Sequence, residues 1–227
     1  MRLVKLGIAA VVVVAVLVTG GTYVYIHFIQ GDPPPKLTLE ADPTTSVPSG
    51  DATIAGRWTA TRAGSQVGYR VDEVLFGQRA TAVGRTSGVT GSMTIDGTTV
   101  STAKVVADLT TVTSDEARRD GQFSGRIMDT SRFPTATFEL TAPLALGPQP
   151  AAGQVVKATA TGTLTIHGTT RPVTVELSAK WDGGQRAEVN GEIPVAFADY
   201  GIPNPSFGGV TTEDHGSIEL LVVFTKA

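Results

Sequence analysis

The chain has 227 residues, 13 prolines, 26 glycines and no cysteine, with a formal net charge of −3 and a mean hydropathy of +0.10. The missing cysteine excludes disulfides, thiolate metal sites, cysteine nucleophiles and a lipidated cysteine. The balance of 18 Lys+Arg against 21 Asp+Glu argues against a dedicated nucleic-acid binder, and a charged fraction of 17% is low enough to ask where the apolar weight sits.

It sits at the front. Leu6–Ile29 is a run of 24 residues without a charged side chain, and 13 of them are Leu, Ile, Val or Phe. At 1.5 Å per residue, a helix of this length spans a bilayer. Those 13 side chains favour insertion by roughly 4–8 kcal/mol. Arg2 and Lys5 predict a cytoplasmic N-terminus, and Tyr23, Tyr25 and His27 suit the far interface. Residues 1–30 are therefore expected to form a single-pass transmembrane anchor in the cell membrane, with the remainder on the extracytoplasmic side. The alternative is a signal peptide with its apolar region over Leu6–Val18, cut near Thr19–Gly21, giving a secreted or periplasmic domain. Val18-Thr19-Gly20 is a poor cleavage site, and the apolar character resumes from Tyr23, which favours the anchor.

Residues 31–50 hold five prolines and read as an extended, partly stiff linker, with Leu37 and Leu39 able to dock weakly on the domain. Residues 51–227 are long enough for one sizeable core. They are Thr-rich with period two. In Thr159–Ile166, Ala160, Gly162, Leu164 and Ile166 share one face; in Arg171–Trp181, Val173, Val175, Leu177, Ala179 and Trp181 do so. This is the pattern of antiparallel strands wet on one side. Further strands are expected over Gly56–Arg62, Ser65–Val71, Thr86–Ile95, Thr99–Leu109, Ala136–Thr141, Arg186–Ala196 and Ser217–Thr225. Asp96-Gly97 is a hairpin turn, and His167-Gly168-Thr169-Thr170 joins the two cleanest strands. Ser114–Gly125 breaks the pattern and predicts one short helix with Ser114 as its N-cap. The expected fold is all-β, about eight antiparallel strands in a closed barrel or a sandwich; periodicity alone does not choose.

Arg119–Phe138, RDGQFSGRIMDTSRFPTATF, resembles the signature segment of the YceI-like family of polyisoprenoid-binding proteins. It carries Arg119-Asp120, then Asp129, then Phe133-Pro134-Thr135-Ala136-Thr137-Phe138. Gly162–Val173 resembles the family's second hallmark, a strand entering His-Gly and then Pro-Val. Trp58–Val71, Tyr200-Gly201-Ile202 and Ser217–Phe224 fit its opening and ending. The segment departs from the family at Gln122-Phe123, where His-Leu is usual, and at Ile127-Met128, where a Phe-Phe pair is usual. The resemblance covers about residues 56–226. It implies a lipocalin-like β-barrel with an elongated apolar interior, carrying a polyprenyl lipid or an isoprenoid quinone; a homodimer is an expectation of the resemblance alone.

An apolar tail needs inward apolar side chains. The ligand-lining residues expected are Val67, Tyr69, Val71, Val105, Phe138, Leu164, Ile166, Val175, Leu177, Trp181, Phe197, Leu220 and Val222; the competing reading is that they fill a core. Arg118, Arg119, Asp120 and His167 are candidates for a polar or anionic head group, since Arg holds phosphate oxygens in bidentate fashion; the competing reading is a solvated helix face and a turn histidine. The sequence contains no HExxH, GxSxG, P-loop or dinucleotide-binding motif, so neither a metal nor a cofactor nor enzymatic activity is expected. Two other readings compete with the carrier. One is an envelope interaction module with a filled barrel; the other is a hydrolase using His167 or His215.

Overall fold

A computed structural model describes residues 20–21, 33–40, 53–75 and 77–227. Except for Gly20 and Gly21, which are helical, the apolar run Leu6–Ile29 lies outside the described residues, so the expected anchor does too. Among the described residues, no helix is long and apolar enough to cross a membrane.

The domain is a single antiparallel sheet that closes on itself. Its strands are β1 (Gly56–Leu75), β2 (Gln78–Thr86), β3 (Val89–Asp96), β4 (Thr99–Asp108), β5 (Thr135–Leu140), β6 (Leu144–Ala145), β7 (Val155–Ile166), β8 (Thr169–Trp181), β9 (Arg186–Ala196), β10 (Val210–Thr212) and β11 (His215–Lys226). The ring runs β1-β11-β9-β8-β7-β5-β4-β3 and returns to β1 through the pairing of Gly56–Thr59 with Ser92–Ile95. Closure resolves the choice between barrel and sandwich, and it removes the exposed edges that an open sheet would have to protect.

The two strands expected over Gly56–Arg62 and Ser65–Val71 are one continuous strand. Its register against β11 shifts between Thr61 and Gln66, where a bulge lets twenty residues wrap around the barrel. The same strand runs on to Leu75 and pairs there with β2, which periodicity did not separate from the turn region. Because β1 pairs with β3 through its first half and with β2 through its second, β2 and β3 act as one stave bent at Ser87-Gly88. Short β6 and β10 add to the flanks of β4 and β1.

The tight turns are where expected. At the β7–β8 turn, His167 and Gly168 both take positive φ, 49° and 74°, as a two-residue hairpin with matching twist requires. A Cβ at Gly168 would sit 2.5 Å from the Phe133 ring, so this turn also needs glycine for space. Between β4 and β5 lies α1 (Ala117–Gln122), followed by one π turn over Phe123–Ile127. Its N-cap is Glu116, whose carboxylate accepts from Arg118 N–H at 3.1 Å. Ser114, expected in that role, instead donates from its hydroxyl and its backbone N–H to Asp120 at 2.6 and 2.8 Å. A longer carboxylate side chain placed nearer the helix reaches the free N–H first.

The interior has two apolar clusters. One is built around Trp58, which is fully buried with its ring N–H on Ile54 O at 2.9 Å, together with Val89, Ile95, Trp181 and Phe224. The other gathers Phe123, Met128, Phe197, Tyr200 and Ile202 around the inward faces of β1, β7 and β9.

On the outer surface, residues 33–40 form a strap. The carbonyls of Pro34 and Pro35 accept from Arg70 and Arg85, and Lys36 pairs with Glu192 at 2.7 Å. Asn190 Nδ2 donates to Leu37 O at 2.8 Å, and Glu40 N–H donates to Glu188 at 3.0 Å. Glu40 also takes a hydrogen bond from Lys180 and lies 3.3 Å from Arg186. Leu37 and Leu39 are half-buried, in line with the docking expected of them. Part of the expected linker is thus laid along β9. Beneath it, the buried carboxylate of Glu219 is held between Arg70 and Arg85.

Candidate functional site

The period-two pattern sends every second side chain of a stave inward, and the barrel is too wide for those chains to fill it. Two compartments result. The upper one, of about 470 Å³, lies under α1 and the π turn, between the second half of β1, β2, the end of β9 and the loop 203–210. The lower one, of about 140 Å³, runs down between β4, β5, β7, β8 and β11. Val67, Ala107, Ala136 and Ile218 line both, so the compartments abut at a throat walled by two alanines and two branched chains. The upper volume alone falls in the range of roughly 300–1,000 Å³ usual for small-molecule sites.

All thirteen residues expected to face a ligand line this space. Val67, Tyr69, Val71, Ile166 and Phe197 line the upper compartment. Val105, Phe138, Leu164, Val175, Leu177, Trp181, Leu220 and Val222 line the lower one, with Val67 shared. The period-two pattern missed Leu109, Val112, Phe123, Ile127, Met128 and Ile202, which come from the 3-10 turns, the π turn and the residues just after them. No periodicity marks such positions; for Phe123, Ile127 and Met128 the signal was their place in the signature segment, and for the others only that large apolar residues stand inside otherwise polar connecting segments.

Tyr69 shows how the rim is packed. Its cross-strand partner is Gly84, and a Cβ there would sit 2.4 Å from the Tyr69 ring. Glycine therefore lets the ring lie over β2 and stack on Phe123, with centroids 5.1 Å apart. Burial pushes the Tyr69 hydroxyl titration up to about 12, so it stays a neutral donor and acceptor.

The head-group candidates separate. Arg118 and Arg119 line the upper compartment. Arg119 is largely buried and spans two carboxylates, Asp115 one turn back and Glu73 on β1 at 3.5 Å. Burial works against its charge, but Asp115 and Glu73 outweigh it and raise its titration. Glu73 is also raised, because burial outweighs the help it receives from Arg119. Asp120 is taken up by Ser114 and is not among the lining residues of either compartment. His167 is likewise not among them: its ring packs on Phe133 at 4.8 Å, and Nδ1 lies 3.3 Å from Tyr200 O. The structure thus brings Arg118 and Arg119 to the cavity and leaves Asp120 and His167 in supporting contacts.

His215 stands in an exposed group with Glu213 and Asp214, Nδ1 2.8 Å from Asp214 Oδ1, and His167 is not part of it. That hydrogen bond raises the His215 titration and lowers that of Asp214. Three consecutive solvated side chains form no built site.

Fold and cavity together define a class: an eight-stranded antiparallel β-barrel with an apolar interior and a polar rim. The chain belongs to the YceI-like family, whose YceI-like domain matches residues 58–224. It is 33% identical over 129 residues to a UPF0312 protein of Vibrio campbellii, covering 53% of this chain and 64% of that protein. It is 36% identical over 127 residues to a UPF0312 protein of Pseudomonas aeruginosa, covering 52% and 62%. The match thus spans somewhat less than two thirds of these relatives. Among solved structures, a polyisoprenoid binding domain from Saccharophagus degradans superposes with a TM-score of 0.60 at 15% identity, over 75% of this chain and 98% of that one. Burkholderia cenocepacia BcnA gives 0.54 at 21% identity, over 72% and 98%. At these identities the likeness is one of fold.

Proposed function

We propose that this protein is a binding or carrier protein that holds the tail of an isoprenoid-like lipid in the barrel, on the extracytoplasmic side of a membrane to which Leu6–Ile29 tethers it. The observation that carries the reading is the two-compartment apolar cavity, lined by alternate residues of eight staves. Burying about ten methylenes there is worth a gross ~8 kcal/mol, part of which is lost in ordering the tail. Such affinity requires no catalytic group. The Saccharophagus domain of the same fold is a polyisoprenoid binding domain, which supports the same ligand class. The tether rests on the uncharged 24-residue run and the positive residues before it. An interaction module with a filled barrel would have no use for the upper cavity.

The test is organic extraction and native mass spectrometry of the purified full chain, with an alkaline wash of the membranes it is expressed in. We expect a co-purifying lipid with an isoprenoid tail, and retention of the protein in the washed membranes. Repeated recovery of empty protein that shows no rise in melting temperature with any polyprenyl lipid would overturn the carrier reading. Release into the wash would overturn the tether alone.

A further inference from the structure

We propose that one side of the rim of the upper compartment, formed by Val74, Leu75, Phe207 and Val210, is a docking surface for the bilayer, and that the cavity opens toward the membrane there. The inference rests on Leu6–Ile29 lying in that bilayer, as proposed above, and it follows from the direction in which the strap runs along the barrel.

The strap has a polarity. In chain order its contacts pass from Arg70 and Arg85, through Glu192 and Asn190, to Glu188 and Arg186. Arg70 lies opposite Ser217 at the start of β11, whereas Arg186 lies opposite Thr225 near its end, beside the Trp58–Lys226 pair. The strap therefore descends from the level of the upper compartment to the Trp58 end, and the apolar run joins it at the top. That upper end is held firmly, since the arginines that grip the Pro34 and Pro35 carbonyls are themselves held by the buried Glu219. Three residues, 30–32, separate Ile29 from Pro33, whereas β1 takes twelve steps of about 3.3 Å from Trp58 to Arg70. Even with the tilt of a barrel strand, the Trp58 end is out of reach of the membrane and the upper end lies beside it.

The upper end carries the apolar surface that such a position calls for. Val74 shares the outer face of β1 with Arg70, about 13 Å further along the strand. Val74 is 37% exposed and Phe207 54%; among the described residues, the other large apolar side chain this exposed is Val155, which stands opposite Lys180 at the far end. Phe207 also lines the upper compartment, as do Leu75 and its cross-strand partner Val210, so the cavity lining continues onto the surface. A tight turn fixes the ring's position. Phe207 and Val210 exchange both backbone hydrogen bonds at 3.0 Å across Gly208 and Gly209, which take φ of 57° and 91°. Arg126 lies over the Phe207 ring, 5.8 Å from its centroid. A fixed aromatic ring with a long cation beside it suits the headgroup level of a bilayer. Asp72 and Glu213 are exposed on the same side, so the docking is by apolar contact and asks for no anionic lipid. A tail that enters across this lip leaves the bilayer without passing through water.

The experiment reconstitutes the full chain in phosphatidylcholine vesicles and reads tryptophan quenching by phosphatidylcholine brominated high in its acyl chains. The wild type supplies the baseline, because Trp58 and Trp181 are buried. Phe207→Trp is expected to add a quenched, blue-shifted component, and Val74→Trp serves where Phe207→Trp fails to fold. Val155→Trp, at the far end, should stay unquenched. Adding Val74→Asp to Phe207→Trp should remove most of the quenching. A lip reporter left unquenched in protein that floats with the vesicles, or Val155→Trp quenched as strongly, overturns this inference and leaves the tether standing. Quenching unmoved by Val74→Asp overturns it too. Protein that does not float with the vesicles overturns the tether and this inference together.

Discussion

The ring of Tyr69 lies on that of Phe123, 18° from parallel, and this pair joins the barrel wall to the turn that covers it. Tyr69 comes from β1 and Phe123 opens the π turn, so the stack fixes the height of the cover above the cavity. Phe123→Ala removes one half. We expect a loss of about 3 kcal/mol in urea unfolding and faster escape of bound lipid, because both packing and closure are lost together. Phe123→Leu should recover most of the stability and less of the retention. Equal lipid off-rates in wild type and Phe123→Ala would count against a covering role.

The throat gives a ruler for tail length. Ala107 and Ala136 are buried and line both compartments. Ala136→Phe should seal the lower compartment at an overpacking cost of about 1–3 kcal/mol. Native mass spectrometry with a series of polyprenols should then show short tails still bound and long ones lost. Unaltered binding across the series would mean that tails do not pass Ala136.

Glu73 predicts a pH dependence. Its carboxyl titrates above its ordinary 4.5 in the folded protein, chiefly through burial. A folded value raised above the unfolded one contributes stability below pH 4.5 that is lost as pH rises through the folded titration. Melting temperatures of wild type and Glu73→Gln should therefore differ least below pH 4.5. Above it the wild type should fall relative to the variant until Glu73 is fully ionised. A gap that widens on acidification instead would reverse the assignment.

Asn190 pins the strap. Its Nδ2 donates both to Leu37 O and, at 2.9 Å, to Leu220 O. Asn190→Ala should cost about 1–2 kcal/mol and speed proteolytic cutting within residues 33–40, with the barrel core left resistant. Cutting rates that match the wild type would show that the ion pairs of Lys36 and Glu40 hold the strap unaided.

The inward faces were legible because a stave repeats every two residues: Leu164 and Ile166, or Val175 and Leu177, declare their side of the sheet locally. Closure was not legible, since the pairing of Gly56–Thr59 with Ser92–Ile95 depends on a bulge between Thr61 and Gln66 whose Gly64, at φ 80°, reads in the sequence as a break between two strands. β2 was missed for a related reason. Ala80, Ala82 and Gly84 face inward there, and side chains that small give almost no hydrophobic alternation. They are small because Tyr69 and the cavity occupy the space beside them. At the rim, the sequence showed Arg118-Arg119-Asp120 as neighbours. It could not show that Glu73, more than forty residues earlier, would claim the second arginine, or that Ser114 would claim the aspartate.

The strap also sets a distance. The residues between Ile29 and Asp51 look like slack, yet the docking of residues 33–40 along β9 takes up part of them. Only residues 30–32 stand between the apolar run and Pro33, an arc of at most about 14 Å when fully extended. With Leu6–Ile29 in the bilayer as proposed, the barrel is leashed rather than floating. A lipid in the same membrane then meets the cavity at the high effective concentration of a short tether, so even a modest intrinsic affinity for the tail would keep the barrel loaded.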